Sequence, residues 1–87
     1  MSESSQIIFT RTILDFGFVV ISRAPLPEKY LPNRFAVISE MSFFEDTGLL
    51  PRTRSCFVKN HREAILQSQI FLEEFNSFYS RFQHESV

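Results

Sequence analysis

From residue 60 onward, apolar positions recur with the period of an α-helix. At 100° per residue, Ala64, Ser68, Phe71, Phe75, Phe78 and Phe82 fall on one narrow stripe, which Ile65, Leu72 and Tyr79 widen to an ordinary apolar face. Arg62, Gln69, Glu73, Asn76 and Ser80 lie opposite. Asn60-His61-Arg62-Glu63 has the form of a capping box, in which the Asn side chain accepts from the third amide and Glu63 reaches back. No Pro or Gly follows, so the pattern predicts one long amphipathic helix over 60–82 with an aromatic face in the core. Leu66 and Ile70 stand outside that face. Four residues apart, they touch each other on a helix, yet they sit among Arg62, Glu63, Glu73 and Ser77. Single exposed aliphatics are ordinary. An adjacent pair beside Arg62 is the helix's candidate surface for docking to another protein.

Upstream the period shortens to two. Over 34–44, Phe35, Val37, Met41 and Phe43 share a side, with Ser39 breaking the row, which reads as a half-buried strand at least over 34–39. Residues 53–59 form a short strand with Cys56 on one face and Phe57 on the other. The first segment has two readings: a strand over 7–14 hairpinned through Asp15-Phe16-Gly17 onto 18–22, or a short helix over 7–16 closed by Gly17 in the left-handed region. The β-branched Ile7, Ile8, Thr10, Thr12 and Ile13 favour the hairpin. Between these strands, Pro25, Pro27 and Pro32 make 24–33 a loop, with Tyr30 and Leu31 expected to pin it to the body. Ser42-x-x-Glu45 suits one capped helical turn ending at Gly48, and Leu49-Leu50-Pro51 a turn. The expected fold is α+β, a single domain over 6–84 with flexible ends at 1–5 and 85–87. Three to four mostly antiparallel strands pack on one long C-terminal helix, with room for a short extra helix near 6–16 or 42–47.

Composition adds a question about partners. Eighty-seven residues make one domain with a modest core. Eleven Phe, two Tyr and no Trp put much of the apolar volume into rings, and a two-layer monomer of this size has little room to hide them all. A homodimer, or docking to another protein, therefore stands level with a compact Phe-rich monomer. The net charge of −1 gives no global basic excess for nucleic acid. The longest apolar run, 16–21, is far short of the ~20 residues that span a bilayer, so no membrane association is expected. Cys56 stands alone, no N-x-Ser/Thr sequon is present, and Met1-Ser2-Glu3-Ser4-Ser5 does not resemble an export signal. These point to a reducing compartment, cytoplasmic or nuclear.

Candidate chemistry is sparse. Arg52, Arg54, Lys59 and Arg62, with His61 among them, form the one run of cations free of acids, and Phe57 could stack a base beside them. Glu40, Glu45 and Asp46 lie close enough upstream to neutralise the run. Phe16-Gly17-Phe18-Val19 matches the centre of an RNA-recognition signature, but Leu14-Asp15 precede it and Ile21 replaces the second stacking ring. The fifteen residues upstream are also too few for the companion strand. Cys56 and His61 would need folding to bring them together, and no third group orients the imidazole. His84 is remote, so two His and one Cys give no metal spacing. Glu73 and Glu74 point 100° apart on a helix, and Gly17 and Gly48 cannot build a phosphate loop. The expectation is a non-catalytic protein-interaction module, such as a small adaptor, inhibitor or regulatory subunit, without cofactor or metal. Nucleic-acid binding through Arg52, Arg54, Lys59 and Arg62 comes second, and a small thiol enzyme a distant third.

Overall fold

A computed structural model describes residues 5–85, with side chains through His84. The flexible ends expected of the sequence fall largely on 1–4 and 86–87, outside the described residues. Four strands, β1 (Gln6–Ile13), β2 (Gly17–Pro25), β3 (Phe35–Phe43) and β4 (Arg52–Val58), precede one helix, α1 (His61–Glu85). The strands form an antiparallel meander in the order β1-β2-β3-β4, so β1 and β4 are both open edges. Single 3₁₀ turns at Glu28–Tyr30 and Glu45–Thr47 fill the two longer connections. This is a small α+β domain, an open sheet carrying one long helix.

The first segment is a hairpin, and the helical reading of 7–16 is overturned. Ile13 pairs with Gly17, and the Phe16 amide donates to the Ile13 carbonyl at 3.1 Å. Asp15 takes the left-handed conformation, φ 66°, which a short polar side chain tolerates. Gly17 is there for space instead: a Cβ on it would sit 2.2 Å from the Ser42 carbonyl oxygen. β2 extends beyond the expected residue 22 because Ala24 and Pro25 still pair with Ala36 and Phe35. The following loop is pinned by half of what the sequence suggests. Tyr30 packs edge-on against Phe57, with centroids 5.1 Å apart, whereas Leu31 is exposed. Ser42 does not cap a turn, since the ladder holds it opposite Phe18. The turn begins after Phe44 without a side-chain cap and ends at Gly48, φ 74°.

α1 starts as its sequence dictates. The Glu63 amide donates to Asn60 Oδ1 at 2.9 Å, and the Glu63 carboxylate accepts from the Lys59 amide at 2.9 Å, one residue earlier than a standard capping box. The helix lies mainly over β3, flanked by β2 and β4. Its Ala64, Phe71 and Phe75 meet Val19, Ile21, Val37, Met41 and Val58 in the core. Phe16, from the hairpin turn, is the hub of the aromatic end, with its centroid 5.1 to 5.5 Å from those of Phe43, Phe75, Tyr79 and Phe82. Ile65, expected on the buried face, is half-exposed instead. The radius of gyration is 14.6 Å, against about 12 Å for a compact chain of this length, and the extents are 49 × 25 × 17 Å. The molecule is a thin two-layer slab. Among the described residues, the other face of its sheet carries no helix and is met only where Tyr30 packs on Phe57.

Candidate protein-docking surfaces

Strand alternation assigns every sheet residue to the helix side or the open side. Phe35, Val37, Ser39, Met41 and Phe43 of β3 face the helix, so their neighbours across the ladder do too. The open side then carries Phe18 opposite Ser42, Val20 opposite Glu40, Ser22 opposite Ile38 and Ala36 opposite Phe57. β1 adds Ile7, Thr10 and Thr12, and β4 adds Thr53 and Ser55. Glu40 is the only charged residue among these positions. All four strand arginines, Arg11, Arg23, Arg52 and Arg54, stand on the helix side. Phe18 is 37% exposed and Phe57 45%, with Ile7 more exposed still. Apolar and hydroxyl side chains without charge are what a sheet face carries when it is to be covered.

The sequence contained a signal for this face. Phe18, Val19, Val20 and Ile21 are apolar without alternation, the pattern of a strand buried on both sides. Only Val19 and Ile21 found cover, from the helix.

Leu66 and Ile70 are 52% and 49% exposed, on the helix surface away from the sheet. Arg62 is exposed near the helix start. These three residues thus form a second, smaller patch on the other side of the molecule from the open sheet face. Ile70 also reaches the β4 flank, where it lines a groove of ≈ 410 Å³ with Met41, Arg52, Arg54, Phe78 and Arg81.

The run of cations does not stay together. Arg52 and Lys59 are seven residues apart on extended chain, roughly 23 Å. Arg52 and Arg54 lie in the groove, their guanidinium carbons 4.7 Å from the Phe78 centroid and 5.8 Å from the Phe71 centroid. Arg54 also pairs with Glu74, an exposed contact contributing at most about 1 kcal/mol. Lys59 and Arg62 flank the helix start instead. Phe57, the proposed stacking ring, projects from the opposite face to Arg52 and Arg54 and is engaged by Tyr30. Ring and guanidiniums therefore do not share one surface.

Cys56 and His61 do not meet as a nucleophile pair. The Cys56 thiol leans on the Phe57 carbonyl at 3.7 Å and packs against the core. His61 Nδ1 accepts from the Arg23 guanidinium, which also donates to Gln6 Oε1 at 2.9 Å, so this imidazole fastens the helix start to the sheet. Among the described residues no group of three His, Cys, Asp or Glu side chains converges as metal ligands. No helix among them is long and apolar enough to cross a membrane. Comparison with known families, curated proteins and solved structures returns no match to this chain.

Proposed function

We propose that this chain is a non-catalytic protein-interaction module that docks to an apolar surface of another protein through the open face of its sheet. The observation that carries the reading is the largely uncovered, almost uncharged face on which Ile7, Phe18 and Phe57 are exposed and Val20 and Ile38 half-buried. Each large side chain that a partner fully covers adds roughly 1.5–3 kcal/mol of burial. The slab shape agrees, since a second layer from outside would supply the thickness the chain lacks. Nucleic acid is the weaker reading because phosphate needs cations, and the strand positions of the open face present a single charge, which is negative.

The test pairs Ile7→Glu with Phe18→Glu, both exposed and both distant from the helix. A binding protein is isolated from the native source, purified, and titrated against wild type and variant at low and high salt. Binding should persist at high salt and fall at least tenfold in the variant. The same comparison with Leu66→Glu plus Ile70→Glu separates the sheet face from the helix patch. Loss only with the helix pair moves the docking site to Leu66, Ile70 and Arg62. Copurifying nucleic acid whose binding vanishes with salt and with Arg52 and Arg54 replaced would assign the chain to nucleic acid instead. A second copy as the occupant would show as a doubled molar mass by light scattering.

A further inference from the structure

The two edges of the sheet are built differently. Along β1 the pairing with β2 slips between Ile7 and Phe9, a bulge that interrupts the regular run of backbone groups at that edge. β4 pairs with β3 without a break, from Arg52 opposite Met41 to Val58 opposite Phe35. Its outer side therefore offers an unbroken row of backbone donors and acceptors seven residues long.

Beside this edge runs the groove between β4 and α1, lined by three arginines, Arg52, Arg54 and Arg81, against two acids, Glu73 and Glu74. Arg54 has Glu74 as its partner. Arg52 and Arg81 instead approach the same Phe78 ring, at 4.7 and 5.7 Å from its centroid, with no acid paired to either among the described residues. Phe78, Ile70 and Met41 give the groove an apolar wall, and a second hollow of ≈ 220 Å³, lined by Leu49 and Phe82, continues past Arg52 and Arg81. On the opposite side of β4 lie Thr53, Ser55 and the exposed Phe57.

We infer that the β4 edge takes an extended segment of another protein by strand addition, and that acidic residues alternate with apolar ones along that segment. Residues directly opposite each other in an antiparallel ladder share a face. Partner side chains opposite Arg52 and Arg54 therefore point to the helix side, where carboxylates meet the guanidiniums of Arg52 and Arg81. The intervening partner side chains fall on the open side, beside Phe57. A second copy of this chain does not fit the same edge, because β4 holds no acid and would bring Arg52 and Arg54 from both copies onto one side of the joint ladder. The site shares only Phe57 with the open-face reading: it uses the β4 flank, while Ile7 and Phe18 lie on β1 and β2.

The probe is a labelled peptide of alternating Glu and Val, titrated into the full chain by fluorescence anisotropy, with amide hydrogen exchange read along the chain. Saturable binding is expected, with slowed exchange confined to β4. A peptide of the same composition with its Glu residues in one block should bind at least tenfold more weakly. Arg81→Glu, at an exposed helix position, should weaken the Glu peptide at least tenfold. Arg52→Glu with Arg81→Glu should in addition bind a Lys and Val peptide that wild type ignores, and far-ultraviolet circular dichroism confirms the fold of both variants. Ile7→Glu with Phe18→Glu should leave this binding unchanged, so the open-face proposal and this one fail separately. The inference is overturned if the alternating peptide does not bind, if the blocked peptide binds equally, or if protection appears on β1. It is also overturned if a short oligodeoxythymidylate displaces the peptide at lower concentration.

Discussion

Ser39 shows what one side chain costs when the ladder around it cannot adapt. It sits on the helix side of β3, 1% exposed, and its hydroxyl meets no hydrogen-bond partner among the described residues. An unpaired buried hydroxyl is destabilising by about 1–3 kcal/mol. Ser39→Ala is therefore expected to raise the unfolding free energy by about 1 kcal/mol in a urea titration, and a loss would reveal a partner for the hydroxyl. Gly17 is the opposite case, a residue whose smallness the fold requires. With a Cβ 2.2 Å from a backbone oxygen of the neighbouring strand, Gly17→Ala must push β2 from β3. The expected cost is about 1–3 kcal/mol, measured by the same titration, with a midpoint equal to wild type counting against it. Neither effect was legible beforehand. Ser39 appeared as a gap in an apolar row, and Gly17 as a residue needed for its dihedral freedom, because sequence periodicity does not carry the distance between neighbouring backbones.

Among the elements, α1 was the most legible and the strands less so. A helix satisfies its backbone within itself, so its start, stripe and polar back follow from local spacing. Asn60→Ala, which removes the acceptor for the Glu63 amide, is expected to lower stability by about 1 kcal/mol, detected as a fall of a few degrees in thermal midpoint. Strands depend on neighbours distant in sequence. That is why β2 runs to Pro25 rather than 22, and why the turn after β3 begins at Phe44 rather than at Ser42. The same dependence divides the cations of 52–62. As a sequence they are one basic run, but alternation sends Arg52 and Arg54 to the helix side while Lys59 and Arg62 flank the next element. The edges differ for a similar reason, since the bulge in β1 exists only through its register with β2.

At the scale of the whole molecule, one helix covers one side of four strands, and the excess of rings read from the composition resolves into two populations. Phe16, Phe71 and Phe75 are fully buried, with Phe35, Phe43, Phe78 and Phe82 packed against the core. Phe9, Phe18, Phe44 and Phe57 remain exposed. A chain of this length has a small stability margin, and covering the open face would enlarge it. For that reason Ile7→Glu with Phe18→Glu should leave the thermal midpoint of the isolated chain within a few degrees of wild type while removing the partner-dependent increase. A large loss of stability in the isolated chain would mean that the face is already part of its core.

The sequence by itself determined the long helix, its cap, its aromatic stripe and the exposed Leu66 and Ile70, because these obey a local period. It favoured the hairpin over a short helix through β-branched content and marked strands over 34–39 and 53–59 by alternation, without giving their order in the sheet. Tertiary structure alone decided which apolar strand face was covered and which was left largely open, since the helix spans one side of the sheet and the second is met, among the described residues, only where Tyr30 packs on Phe57. It decided as well that Arg52 and Arg81 converge on Phe78 from two elements nearly thirty residues apart. Such a meeting is set by how α1 crosses the sheet, and nothing in the spacing of either element encodes the angle of that crossing.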